Sequence, residues 1–221
     1  MFEEIEPVFY STTIKPSFER VHVILALFIF GANKEGIGRY RLQKELSIGS
    51  GTARSLIKKL KESVNFITIL SDEKGHILEK KGLEYLDKIK EKIQLIEIGD
   101  SKIIKEIIVR PEKNFSYFCL VKNAANKISN GIEQRDAAIK IGGIGATCLL
   151  YNGDYLIFPS QNLDFNEENQ MKVDNNTFDY IHNLIKTKKA KLEENDVIII
   201  GLGEKPESAR LAALNAALTI V

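Results

Sequence analysis

Residues 36–62 read GIGRYRLQKELSIGSGTARSLIKKLKE. The second part of this stretch repeats apolar residues at i, i+3, i+4 and i+7, which predicts an amphipathic helix over 51–61. Its apolar positions are Ala53, Leu56, Ile57 and Leu60. A shorter helix is predicted over 39–46, and Ser47 to Ser50 form the turn between the two. Two short helices joined by a Gly-containing turn are the pattern of a helix-turn-helix.

The flanking segments extend this pattern to a small domain. Residues 21–32 form an apolar run that predicts a buried helix, with Ser17 as its candidate N-cap. Residues 66–70 and 76–79 are β-favouring and surround a polar turn at 71–75, which predicts a hairpin. A further helix is predicted over 80–95. The order helix, helix, helix, hairpin, helix predicts a winged helix-turn-helix DNA-binding domain over residues 1–95.

The helix over 51–61 carries polar and basic side chains opposite its apolar face. Thr52, Arg54 and Ser55 lie near its start, where a recognition helix reaches base edges. Lys and Arg further along this helix and on the preceding one are expected to contact phosphates. The candidate DNA-binding residues, including two near the hairpin tip, are Arg39, Arg41, Ser50, Thr52, Arg54, Ser55, Lys58, Lys59, Lys74 and His76.

Charge is unevenly distributed along the chain. The net charge of the 221 residues is +1. Residues 1–95 carry sixteen Lys and Arg against thirteen Asp and Glu, a balance of +3, so the remainder has a balance of −2. A mildly basic first half and a mildly acidic second half fit a nucleic-acid-binding module joined to another domain.

The second half alternates strand and helix patterns. Strands are predicted over 115–121, 146–151, 155–158 and 197–201, with the two-residue turn Asn152-Gly153 joining the middle pair. Helices are predicted over 132–141, 174–189 and 208–220, a polar loop over 160–173, and a plain loop over 201–206. The order βαββαβ plus a C-terminal helix predicts a small ferredoxin-like α/β domain over 113–221, with a linker at 96–112. The whole chain is therefore expected to be α+β.

A polar cluster and a Gly-rich stretch in this half are the candidate ligand site. Polar groups at a helix start beside glycines can hold a ligand, because glycine lets a backbone approach closely. The candidate residues are Asn130, Glu133, Gln134, Arg135, Asp136, Gly143 and Gly145. The alternative is that Asn130 caps the helix, Glu133 completes a capping box and the glycines only form turns.

Several function classes lack support in the sequence. No hydrolase or metalloprotease motif is present and no histidine pair has metal-ligand spacing, so neither an enzyme nor a cofactor or metal is predicted. Cys119 and Cys148 lie in apolar runs and are expected to be buried, reduced thiols, as in a cytoplasmic protein. The longest apolar run, about twelve residues, is shorter than the roughly 20 that span a bilayer, so no membrane association is expected.

Three segments resemble an archaeal family of predicted transcriptional regulators. They are IGRYRLQKELSIGSGTARSLIKKLKE (37–62), GHILEKKGLEYL (75–86) and NGIEQRDAAIKIGGIGATCLLYNGDYLIFP (130–159). The resemblance covers nearly the whole chain and implies an N-terminal winged helix followed by a C-terminal domain of unknown function. It also implies that the polar run at 130–136 is a site, but no ligand or operator comes with it.

These observations predict a transcriptional regulator that binds double-stranded DNA as a homodimer and responds to a small-molecule effector. Two copies would read two half-sites one helical turn apart. The candidate dimer surfaces are the apolar first helix, the helix at 82–95 and the closing helix. The alternatives are a protein-interaction adaptor without sequence-specific DNA binding and, with less support, an enzyme that uses the 130–145 region.

Overall fold

The computed structural model describes residues 2–11, 15–160 and 171–221. It divides the chain into two compact units, Met1–Lys90 and Glu91–Val221. The chain is a mixed α+β protein, as predicted, with helices and antiparallel sheets in its two units. Most of the predicted polar loop over 160–173 lies outside the described residues. Among those that are described, no helix is both long and apolar enough to cross a membrane.

The described residues of the first unit form a short 3-10 helix (Glu3–Ile5), five α-helices and one hairpin. Their bounds are α1 (Glu6–Phe9), α2 (Arg20–Ala32), α3 (Arg39–Glu45), α4 (Ser50–Glu62), β1 (Ile67–Ser71), β2 (Gly75–Leu78) and α5 (Lys80–Lys90). Strands β1 and β2 pair in antiparallel fashion. The element order from α2 to α5 is therefore the one that the sequence predicts.

Helix α2 forms the centre of the first unit. Nine of its thirteen residues are buried, and it packs against α3, β2 and α5. The unit itself therefore covers this helix, which is not a free dimer surface as we had expected.

The predicted cap Ser17 of α2 is also wrong, because the N-cap is Glu19, whose backbone N–H donates to Nδ1 of His22 over 2.9 Å. Burial holds the pKa of His22 below its usual 6.5.

The second unit is built on a five-stranded sheet. Its elements are β3 (Ile93–Gly99), β4 (Phe115–Val121), α6 (Ile132–Lys140), β5 (Gly145–Tyr151), β6 (Leu156–Ile157), α7 (Asn175–Thr187), β7 (Val197–Gly203) and α8 (Pro206–Ala217). The strand order is β3-β4-β7-β5-β6, and every pair of neighbours is antiparallel.

The predicted ferredoxin-like strand order is wrong. That order would place the first strand of the βαββαβ series beside the third, whereas here β7, the last strand, lies between β4 and β5. All seven residues of β7 are buried, so this strand needs neighbours on both edges and cover on both faces. The order of elements along the chain does not reveal this pairing.

The predicted linker at 96–112 is also wrong. Strand β3 begins at Ile93 and pairs with β4, while α5 already ends at Lys90. Ile93 lies four residues after Ile89, so it matched the helical pattern of α5 although it belongs to the sheet. Further along, Ile104 and Ile108 are buried in the core of the second unit.

The sheet is covered on both faces. Helix α7 and residues 104–108 contribute to the core against one face, and helices α6 and α8 pack on the other. Helix α8 lies very close to β7, since a Cβ built on Gly201 would be 2.1 Å from the backbone nitrogen of Ala213. Helix α8 is mostly buried in this contact, so it too is not a free dimer surface.

The close approach of α8 to β7 predicts that Gly201→Ala destabilises the second unit. The added methyl would meet helix backbone, which cannot move as a side chain can, and overpacking costs about 1–3 kcal/mol or more. Gly145→Ala is a matched control on neighbouring β5, where the nearest atom to the new Cβ is 3.7 Å away. Urea unfolding of both variants measures the difference. Equal free energies of unfolding for the two would contradict this packing.

Candidate nucleic-acid interface and ligand cavity

Helix α4 presents one basic face away from the core of the first unit. Its apolar positions are buried, as the 3.6-residue period predicts. Arg54 and Lys58 project from the opposite side and are exposed, and Ser50 is exposed at the first turn. Lys58 lies 3.9 Å from Glu62, a weak surface pair. Within the described residues no carboxylate is paired with Arg54, so its guanidinium is available to a partner.

The flank of α4 is occupied by the N-terminal segment. Thr52 and Lys59 lie on this flank and are half-buried. The Thr52 hydroxyl is 2.7 Å from that of Ser17, and the Lys59 ammonium donates to the carbonyl oxygen of Tyr10. Thr52 and Lys59, both predicted to contact DNA, therefore already have partners inside the chain. Ser55, the third residue of this flank, is half-buried as well.

Helix α3 supplies the two predicted arginines. Arg41 is exposed and lies 3.7 Å from Glu45. Arg39 stacks on the ring of Tyr40, 4.8 Å from its centroid, and donates to its hydroxyl over 3.0 Å. Among the described residues the buried Nε of Arg39 has no hydrogen-bond partner.

The hairpin places its two predicted residues differently. Lys74 lies at the tip, where its ammonium is 3.9 Å from Glu35 and where Asp72 and Glu73 are also exposed. His76 is the second residue of β2, close to the tip as predicted, but it is half-buried. Burial and the charge of Lys61 hold the pKa of His76 below 6.5. His76 is therefore neutral at pH 7 and adds no positive charge.

Two reciprocal hydrogen bonds attach the hairpin to the loop before α3. The backbone N–H of Ile37 donates to the carbonyl of His76 and that of His76 donates to Ile37, each over 2.9 Å. Gly36 and Gly75 flank this bridge with φ of +95° and +82°. A Cβ on Gly75 would lie 2.2 Å from the Ile37 carbonyl oxygen. Both the conformation and the space therefore require glycine there.

In the second unit the predicted polar cluster divides between two cavities. Asn130 and Arg135 line a cavity of about 290 Å³ together with β5. Its lining residues are Asn130, Gly131, Ile132, Arg135, Ala146, Thr147, Cys148, Phe158 and Pro159. Asn130 also accepts a hydrogen bond from the N–H of Ile132 over 3.0 Å. The N-cap of α6 is Gly131, so the alternative prediction that Asn130 caps this helix is wrong, although Asn130 contacts its first residue.

The other polar residues of the cluster lie at a second cavity or on the surface. Glu133 and Gln134 line a neighbouring cavity of about 240 Å³. Gln134 is buried and donates to the hydroxyl of Thr219 over 2.7 Å, which ties α6 to the end of the chain. Asp136 is exposed and pairs with Arg135 at 2.8 Å. No side chain caps α6 in the way the capping-box alternative requires, so Glu133 does not play that role.

The two predicted glycines do not line either cavity. A Cβ on Gly143 would lie 2.5 Å from the Cβ of Ala212, so this glycine permits close packing on α8. Gly145 is buried at the start of β5, beside the side chain of Arg135. Gly143 is therefore a packing residue, and the role of both glycines as ligand contacts stays a prediction.

Residues of β5 and the segment after β6 are the part of the cavity that sequence reasoning missed. Thr147, Cys148 and Phe158 become neighbours of Asn130 only through sheet pairing. Burial raises the pKa of the Cys148 thiol to about 12 and raises that of Cys119 as well. Both are free and buried, as predicted, and both are therefore protonated at neutral pH.

The most buried charges of the second unit form a separate cluster. Asp196 is 1% exposed and lies 2.5 Å from the ammonium of Lys122, which is also 2.9 Å from Glu193. Asp196 further accepts from the backbone N–H groups of Asn123 and Glu193. These bonds join the end of β4 to the turn before β7, which makes the cluster structural. In the described part of the chain, no group of three His, Cys, Asp or Glu could hold a metal ion.

The chain thus combines a helix-and-hairpin unit that bears a basic helix with an antiparallel α/β unit that bears two cavities. Residues 21–84 match the family model of the PH0730-like N-terminal domain, and residues 113–220 match that of a domain of unknown function, DUF4443. The chain is similar to the solved structure "Hypothetical protein PH0730 from Pyrococcus horikoshii OT3", with 25% identity and a TM-score of 0.64. The likeness covers 92% of this chain and 93% of that one. No curated protein matches.

Proposed function

We propose that this protein is a DNA-binding transcriptional regulator whose first unit is a winged helix-turn-helix. The observation that carries the proposal is the outward face of α4, where Arg54 and Lys58 project from a helix whose other side is fixed in the core. Helix α4 has thirteen residues and is therefore about 20 Å long. A helix of this kind enters the major groove, which is about 12 Å wide.

The arrangement around α4 supports this reading. Helix α3 precedes it after a short turn and carries the exposed Arg41, in the position from which the first helix of the motif crosses the DNA backbone. The hairpin β1–β2 is fastened to the start of α3 by the Ile37–His76 bridge. Recognition helix, supporting helix and hairpin are therefore held as one body.

Removal of the two outward charges tests the proposal. We expect Arg54→Ala/Lys58→Ala to lower the affinity for a duplex from the gene's own upstream region by about tenfold or more, because one good base contact is worth about 1–3 kcal/mol. The slope of log K against log salt should also become shallower by about 0.9 for the lost phosphate contact. Fluorescence anisotropy of labelled duplex, titrated at several salt concentrations, measures both.

Lys105→Ala/Lys113→Ala is the matched control, since it removes two exposed charges from the second unit, outside both α4 and α5. It should bind as the wild type does. The same affinity and salt slope for all three proteins would exclude α4 as the DNA-reading element.

We also propose that the regulator is a homodimer, because one recognition helix reads few base pairs and two half-sites multiply specificity. Helices α2 and α8 are covered by their own units, which leaves α5, with Leu83 46% exposed, as the remaining candidate surface. Light scattering should give about twice the 24.9 kDa of one chain. Leu83→Lys should lower this mass, and a monomer at all concentrations with and without DNA would contradict the dimer.

The cavity beside α6 is the proposed effector site. It has an apolar lining from Ile132, Phe158 and Pro159 and polar groups on Asn130 and Arg135, the mixed lining that small-molecule sites have. Small carboxylic acids and phosphate esters are screened for a rise in the melting temperature of the wild type. A compound that binds in this cavity should give no such rise with Ala146→Leu, because the larger side chain fills the cavity. A compound whose effect survives Ala146→Leu binds elsewhere.

The protein-interaction adaptor is the second candidate, and the hairpin is the observation that favours it. Ile69 and Leu70 on β1 are 46% and 41% exposed, and the tip carries Asp72 and Glu73 beside Lys74. Such a hairpin suits a protein surface better than a phosphate backbone. A folded wild type that binds no duplex at low salt would favour the adaptor over the regulator.

A further inference from the structure

We propose that the cavity of about 240 Å³ beside α6, here called the second cavity, binds a free amino acid in its zwitterionic form. Glu133 and Gln134 accept hydrogen bonds from the ammonium group of the ligand, and Lys127 donates to its carboxylate. This is a different cavity from the proposed effector site, and the inference does not depend on whether the first unit binds DNA.

Both walls of the second cavity are held by contacts within the second unit. In one wall, the backbone N–H of Lys127 donates to the carbonyl of Ala124 over 3.0 Å, and Ala124 in turn donates to the carbonyl of Asn195 over 2.9 Å. The other wall is α6, where the carbonyl of Ala137 accepts from the side chain of Asn215 on α8 over 2.8 Å. The fold itself therefore forms this cavity, as is usual for small-molecule sites.

The buried amide of Gln134 offers an oxygen to the second cavity. Gln134 is 2% exposed, and its amide nitrogen donates to the hydroxyl of Thr219 over 2.7 Å. That hydroxyl has one proton and donates it to the carbonyl of Ala216 over 2.8 Å, so it can only accept from Gln134. The amide orientation is thereby fixed, with Oε1 turned away from Thr219. Among the described residues Oε1 has no donor, which leaves it available to an N–H group of a ligand.

Two opposite charges line the second cavity without meeting each other. Lys127 ends a short 3-10 helix (Ala125–Lys127), and Glu133 lies in the first turn of α6. Both side chains are exposed, and within residues 2–11, 15–160 and 171–221 neither has an ion-pair partner. Their charged groups are therefore more than 4.0 Å apart. A ligand with one positive and one negative group can pair with both of them at once.

The chemistry of these three groups defines the class of ligand. The Glu133 carboxylate and the Gln134 amide oxygen are acceptors that suit an ammonium group with its three N–H donors, and the Lys127 ammonium suits a carboxylate. A dicarboxylate would be repelled by Glu133, and a diamine by Lys127.

The size and the remaining lining narrow this class. A volume of about 240 Å³ equals that of about eight water molecules in the liquid, which is room for an amino acid with a short side chain. Asn126 and Ser129 also line the cavity, so we expect that side chain to be polar.

Isothermal titration calorimetry of the full chain with each of the twenty common amino acids tests the proposal. We expect at least one amino acid with a short polar side chain to bind. Its methyl ester and the same acid without the amino group should each bind about tenfold more weakly or worse, because each lacks one charged contact.

Two variants assign these contacts to residues. Glu133→Gln and Lys127→Met each remove one charge and keep most of the side-chain shape, and each should lower the affinity for the amino acid by about tenfold or more. Lys127→Met should bind the methyl ester as the wild type does, because the ester has no carboxylate for Lys127. The matched controls, Glu204→Gln and Lys140→Met, change exposed charges that line neither cavity and should bind as the wild type does.

Three results overturn the inference. The first is that none of the twenty amino acids binds at millimolar concentration, although circular dichroism shows a folded protein. The second is that binding is lost in Ala146→Leu but kept in Glu133→Gln and Lys127→Met, which places the amino acid in the proposed effector site. The third is that the acid without the amino group binds as tightly as the amino acid, so that the site recognises an anion. Loss of DNA binding changes none of these outcomes, so the proposed function and this inference fail separately.

Discussion

The bridge between Ile37 and His76 is the constraint on which the candidate interface depends. Its two backbone hydrogen bonds of 2.9 Å join the loop before α3 to strand β2. They form only because Gly36 and Gly75 leave room for two backbones to approach and adopt positive φ. Without this bridge the hairpin would be tied to α3 and α4 mainly through the chain that follows α4. With it, the position of the hairpin relative to α4 is defined by main-chain geometry.

In the first unit, the sequence predicted which side chains are buried wherever a helical repeat extends over a whole helix. Ala53, Leu56 and Leu60 repeat at helical spacing, and the structure buries all three, so the outward position of Arg54 and Lys58 followed from the sequence. Thr52 and Lys59 were different. Their partners, Ser17 and Tyr10, lie 35 and 49 residues away, and a helical period contains no information about contacts at that distance.

In the second unit, too, the sequence did not reveal contacts between segments that are far apart along the chain. Element types were predicted correctly for β4, β5 and β7, because each is a short apolar run between turns. The pairing of these strands was not predicted correctly, because the order of strands in the sheet depends on which strand needs a neighbour on both of its edges. One signal was available: VIIIGLG, residues 197–203, is apolar at every position, which is typical of a central strand. The sequence predicts a loop from residue 201, whereas Gly201 and Gly203 belong to β7 and let α8 approach the sheet.

The buried charges of the second unit and the exposed charges of α4 differ in what they contact. The buried charge of the second unit is fully used inside the chain, since Asp196 contacts Lys122 and two backbone N–H groups. Removing a charge from such a site chiefly costs stability, because its partner is left buried and unpaired. Arg54 and Lys58 are exposed and take no part in the fold. Their loss should leave stability almost unchanged, so any loss of DNA binding in the variant reports on recognition and not on folding.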